Sequence, residues 1–99
     1  MDWEARLVDQ LGQADAAHAQ ALLTLAAQDR KGHRAEDLLF KLQERMPDDS
    51  EDAQRQKFFE LRDILLRDAY WAAHEDASGR RYAFSLELLR LWWQRRQQL

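Results

Sequence analysis

His18, His33 and His74 are the three histidines of the chain, and there is no cysteine. Any metal or acid–base chemistry would have to be assembled from these rings and carboxylates. Asp15 with His18, and Glu60 with Asp63, have the spacing of about one helical turn, and "HED" at His74–Asp76 adds three adjacent donors. Metal-binding helical bundles combine inward-facing Glu with Glu-x-x-His pairs from several helices. That pattern is missing, and Glu60 and Asp63 read as part of a solvated face. His33, beside Gly32, reads as a residue that caps or solvates a helix end. Nucleophilic chemistry has as little to draw on: Ser50 reads as a helix cap and Ser78 as a turn residue before Gly79, neither in a nucleophile-elbow setting. The three glycines are isolated, so no phosphate-cradling loop is present. The expectation is a non-catalytic protein with no cofactor and no metal.

A different chemistry is concentrated at the carboxyl end, in "LLRLWWQRRQQL". Arg80, Arg81, Arg90, Arg95 and Arg96 are interleaved there with Tyr82, Trp92 and Trp93, a mixture suited to phosphate contacts and base stacking. Charge is distributed to match: residues 80–99 carry five Arg against one Glu, while residues 1–79 carry ten Lys/Arg against seventeen Asp/Glu. A basic segment on an acidic body fits a nucleic-acid surface, and it equally fits a cationic helix that docks on protein. The arginines scatter around a helical projection and the whole chain is at -3, whereas a dedicated nucleic-acid binder is usually basic. A nucleic-acid-binding regulator using Arg80, Arg81, Arg90 and Arg96 is therefore the alternative reading, and protein interaction the preferred one. The acidic body argues against an anionic membrane surface, and no apolar run approaches the ~20 residues that span a bilayer.

Composition bounds the scaffold for these residues. A chain of 99 residues with 45% hydrophobic and 33% charged content reads as one folded domain. Val8, Thr24 and Ile64 are the only β-branched residues, against abundant Ala, Leu, Gln, Arg and Glu, which predicts an all-α fold. The acidic amphipathic start "MDWEARLVDQ" lacks the features of a signal peptide, so a cytoplasmic location is expected. The use of twelve Arg against three Lys fits GC-rich coding DNA, as in many bacteria and phages.

Periodicity predicts a bundle of four or five helices. Asp2 would cap a short first helix with Trp3, Leu7 and Leu11 on one stripe and Gly12 past its end. A second helix is expected from about Asp15 to Lys31. A third should run from about Ala35 to Met46, with Leu38, Leu39 and Leu42 inward and Phe40 off that face, stopped by Pro47. Asp48 and Glu51 have capping-box spacing before a long central helix expected over about 51–77. Its apolar residues span an arc of about 260° at ~100° per residue, with Arg62 inside the arc and Asp63 and Arg67 spaced for an ion pair. Segments beginning at Asp29 and Asp76 share Gly32/Gly79, Arg34/Arg81, Leu39/Leu86 and Leu42/Leu89, a likeness that helix ends generate readily by chance.

The last helix is expected over about 80–97. In projection Tyr82, Leu86, Leu89 and Trp93 lie on one face and Phe84, Leu88, Leu91 and Trp92 roughly opposite. Two apolar faces on a terminal helix imply that one meets a partner. A second copy is the simplest partner, so the sequence is read as an adaptor or regulatory module that forms a homodimer, with a second protein partner possible. Phe84, Leu88, Leu91, Trp92 and Arg95 would form the interface.

Overall fold

In the first half of the chain the apolar stripes become the helices they predict. The computed structural model describes residues 3–77 and 79–97, so the Asp2 cap and the Ser78 turn lie outside the described residues. Helix α1 (Trp3–Leu11) inserts Leu7 into the core with Trp3 and Leu11 packed beside it. Gly12 takes a left-handed φ of 80° and lets α2 (Gln13–Ala26) start at once. Ala16, Ala19, Leu22, Leu23 and Ala26 bury the inner side of α2, whose small residues allow close approach by its neighbours. It ends at Ala26, short of the expected Lys31.

Helix α3 (Ala35–Arg45) buries Leu38 and Leu42 and leaves Phe40 exposed, as its periodicity requires. Helix α4 (Glu51–Arg67) starts from Ser50, whose Oγ accepts a hydrogen bond from the Ala53 N–H at 3.1 Å. Ser50, rather than Asp48, therefore satisfies one of the amides that the first helical turn leaves unpaired. The expected Asp63–Arg67 pair is not what forms: Arg62 holds Asp63 at 2.9 Å and Arg67 holds Asp68 at 3.7 Å.

The all-α expectation fails beyond Arg67. The long helix over 51–77 and the last helix over 80–97 are both interrupted by strands, and the fold is mixed: five helices and a three-stranded antiparallel sheet. Strand β1 (His33–Arg34) and strand β2 (Trp71–Asp76) flank the central strand β3 (Gly79–Phe84). β2 and β3 form a hairpin in register Trp71 with Phe84, Ala73 with Tyr82 and Asp76 with Gly79. Aromatic residues favour strands as much as β-branched ones do. Trp71, Tyr82 and Phe84 supply that preference, and the register sends all three into the core. Helix α5 (Glu87–Gln97) follows the hairpin.

The two segments that resemble each other in sequence meet in space, with His33 paired to Tyr82 and Arg34 to Arg81. Gly32 sits at this junction, buried, with φ of 80°. The correspondence then stops, because α3 begins at Ala35 whereas β3 continues to Phe84.

At the turn from α4 into β2, Ala69 adopts φ of 64°, the only left-handed residue other than glycine among those described. A Cβ in that conformation costs about 1–2 kcal/mol. Ala69→Gly is therefore expected to raise stability by about 0.5–1 kcal/mol, the relief being partly offset by the freer unfolded chain. The shift in urea midpoint measures it, and an unchanged or lower midpoint would show that the turn is not strained.

Candidate interaction surface

The residues singled out for chemistry are spread over the molecule, and most are engaged in contacts of their own; His33 lies in β1 rather than at a helix end, with its Nδ1 buried and unpartnered. Lys57 Nζ lies 3.1 Å from Asp15 and 3.4 Å from Glu60. Arg45 Nε donates to His18 Nδ1 at 3.2 Å, which requires a neutral ring, and burial together with the Arg45 charge holds the His18 pKa below its ordinary value. His74 Nε2 contacts the Lys31 carbonyl at 2.9 Å, Glu75 pairs with Arg80 at 3.4 Å, and Asp76 with Arg81 at 2.8 Å. Among the described residues no three His, Cys, Asp or Glu side chains converge as a metal site would require, and no helix is long and apolar enough to cross a membrane.

The arginines considered for nucleic acid are also separated. Arg80 and Arg81 lie on the hairpin, with Arg81 additionally donating to the Gly32 carbonyl at 3.1 Å. Arg90 is only 8% exposed. Its Nε and Nη2 bond both oxygens of Glu87, at 2.9 and 2.6 Å, and its Nη1 donates to the Ala27 carbonyl at 2.8 Å. This fork holds the Glu87 carboxyl below the usual carboxylate range. It also ties α5 to the C-terminal end of α2, where unpaired carbonyls favour a cation.

That tie fixes how α5 is rotated, and the rotation decides which residues are presented outward. Leu89 and Trp93, one turn apart, are buried with Arg90 between them. Trp93 packs against Phe84 with ring centroids 6.3 Å apart. Phe84, expected at an interface, thus belongs to β3 and the core: a strand carries residues 82 and 84 on one face, where a helix would have separated them. Ser85 secures the entry into α5, its N–H donating to the Tyr70 carbonyl at 3.0 Å and its hydroxyl to the Ala69 carbonyl. The sequence reading assigned Ser85 no role, since its acceptors become neighbours only when the hairpin closes.

The other four expected interface residues do come together. Leu88, Leu91, Trp92 and Arg95, with Arg96, line one surface depression of about 380 Å³. Leu88 is 82% exposed, Leu86 nearby is 65% exposed, and Leu91 and Trp92 are partly exposed. The Arg96 guanidinium lies 5.6 Å from the Trp92 ring centroid, which gives an apolar floor a cationic rim. Phe40, 64% exposed, borders a shallower groove between α2 and α3 that is lined by charges of both signs, including Asp37, Lys41 and Glu44. Comparison with protein-family models, characterised proteins and solved structures returned no match.

Proposed function

We propose that the chain is a non-catalytic protein-interaction module that works through the outward stripe of α5 and associates with itself there. The observation that carries this reading is the exposure of Leu88 at 82% beside Leu91 and Trp92 on a helix whose opposite side is already committed to the core. Aromatic residues and arginine are enriched at interface centres, and lone charged side chains at their rims. Leu88, Leu91, Trp92 and Arg95 supply that arrangement. The nucleic-acid alternative has weaker support, because Arg80, Arg81 and Arg90 hold partners within the chain and Arg96 stacks on Trp92.

Solution mass of wild type, Trp92→Ala and Leu88→Asp tests the proposal. Wild type should run near twice the 11.8 kDa of one chain. Truncating an anchor removes about 2 kcal/mol or more of association energy, so Trp92→Ala should weaken the dimer by at least ~30-fold. Because Trp92 also touches the core, about 1–2 kcal/mol of monomer stability should be lost with it. Leu88 has little contact with its own chain, so Leu88→Asp should dissolve the dimer while the separated chain stays folded by circular dichroism, its unfolding midpoint losing only what association contributed. Unchanged mass in both variants would place the association on another surface and overturn the assignment of this stripe.

A further inference from the structure

Side chains of α2, α3 and α4 meet around His18, and the contact made there depends on one lone pair. Arg45 Nε donates to His18 Nδ1 at 3.2 Å. The guanidinium keeps its charge at any ordinary pH and has donors only, so this bond exists only while Nδ1 carries no proton. We infer that the His18–Arg45 contact is a pH-sensitive latch between α2 and the last turn of α3, closed while the ring is neutral and opened when the ring takes up a proton. Arg45 is the final residue of α3, just ahead of Met46, whose carbonyl accepts a hydrogen bond from Gln54 of α4 at 2.7 Å. It also lines, with Thr24, Gln28 and Lys41, a groove between α2 and α3. Opening the latch frees one end of that groove.

The surroundings of the ring decide how readily it takes the proton. Its partial burial and the Arg45 charge oppose protonation, and Lys57 of α4 adds to them; Asp15, three residues back on α2, and Asp49, in the turn after α3, favour it. Asp15 is already engaged by Lys57 Nζ at 3.1 Å, and the same ammonium lies 3.4 Å from Glu60. A protonated ring would turn an N–H toward the Arg45 guanidinium and add a positive charge beside Arg45 and Lys57. The opposing effects prevail, and the ring's pKa lies below its ordinary 6.5.

A ring that holds its proton less tightly in the fold than in the unfolded chain makes unfolding take up a proton as the solution is acidified. The stability contributed by the neutral ring is therefore complete well above pH 6.5, is lost as pH falls from 6.5 to the folded-state pKa, and falls no further below it. Each unit by which the pKa is depressed corresponds to about a tenfold fall in the folding equilibrium constant. His18→Gln keeps an acceptor for Arg45 at every pH, so its comparison with wild type at equal protein concentration separates His18 from His33, His74 and the carboxylates.

The test combines NMR titration of the imidazole rings with urea unfolding at about pH 7.5 and about pH 5, on either side of the ordinary histidine range. His18, assigned by the resonance that His18→Gln removes, should titrate below 6.5. Wild type should lose more stability on acidification than His18→Gln, by the factor that the measured pKa requires. Amide exchange at Arg45 and Met46, corrected for its intrinsic pH dependence, should quicken on acidification in wild type and not in His18→Gln. Arg45→Met removes the donor cation and should raise the His18 pKa. A His18 pKa at or above 6.5, or equal acid losses in wild type and His18→Gln, would overturn the latch. A His18 pKa that Arg45→Met leaves unchanged would overturn Arg45 as the group the proton displaces.

Discussion

Alanine at Gly32 should destabilise the fold by about 3–5 kcal/mol, a large share of what a domain of this size has. Two effects combine there. The residue has φ of 80°, which costs an L side chain about 1–2 kcal/mol. A Cβ would also stand 2.6 Å from the Tyr82 carbonyl carbon and 2.8 Å from Ala83 Cα, overlapping the Tyr82 carbonyl oxygen as well. These are backbone atoms of β3, which is paired on both sides and has no room to retreat. The approach to β1 would have to move instead. That would strain the His33–Tyr82 and Arg34–Arg81 pairing, the Arg81 bond to the Gly32 carbonyl and the His74 contact with Lys31.

Gly12→Ala is the matched control. Gly12 has the same φ of 80°, but a Cβ there meets nothing within 4 Å. Only the conformational cost should appear, about 1–2 kcal/mol. The difference between the two urea midpoints isolates the close approach of Gly32 to β3. Equal losses would mean that the connection ahead of β1 shifts freely and is not clamped against the sheet.

How much of this was legible in the sequence depended on whether helical period was the right ruler. Trp3, Leu7 and Leu11, and later Leu38 and Leu42, repeat at helical spacing and fold as their pattern says. Between residues 70 and 84 the ruler was wrong. Continuing α4 through Trp71 widened to about 260° an apolar arc that Phe58–Leu66 already spread over about 220° at ~100° per residue, since alternate residues of a strand fall about 200° apart when projected on a helix; part of the original width is Phe59, which α4 leaves exposed. The scarcity of Val, Ile and Thr hid the strands because aromatic residues provide the strand preference here. Runs at 71–76 and 79–84, two residues apart and with Gly79 opening the second, form a hairpin signal that charge and alanine content obscured.

The candidate surface was more legible than the fold. Residues 88–95 are helical under either reading, so the stripe of Leu88, Leu91, Trp92 and Arg95 survived the correction, whereas Phe84 did not. The role of Arg90 depended on a tertiary partner: its acceptor is the Ala27 carbonyl, 63 residues away. No local pattern announces such a contact. The closeness of Gly32 to β3 is hidden for the same reason, since it arises only from strand pairing.

Trp93→Ala should produce the second large loss, about 3–5 kcal/mol, the usual cost of removing a large aromatic side chain from a core. Trp93 is fully buried, packed against Phe84 and beside Trp92, on a helix that contacts both α2 and β3. Its removal leaves a space that Leu89 and the small residues of α2 cannot fill without displacing α5. Trp93→Phe keeps an aromatic ring against Phe84 and should recover more than half of the loss. The neighbouring Trp92 lies about 100° around the helix, and that angle separates their consequences. Trp92→Ala should lower association at least as much as stability and leave the chain folded; Trp93→Ala should lower stability first, with association failing because the unfolded chain presents no stripe. Denaturant unfolding and solution mass measured on the same two variants distinguish these orders. A loss below about 1 kcal/mol for Trp93→Ala would mean that α5 is not anchored by its inner face, and the outward presentation of Leu88, Leu91 and Trp92 would lose its physical basis.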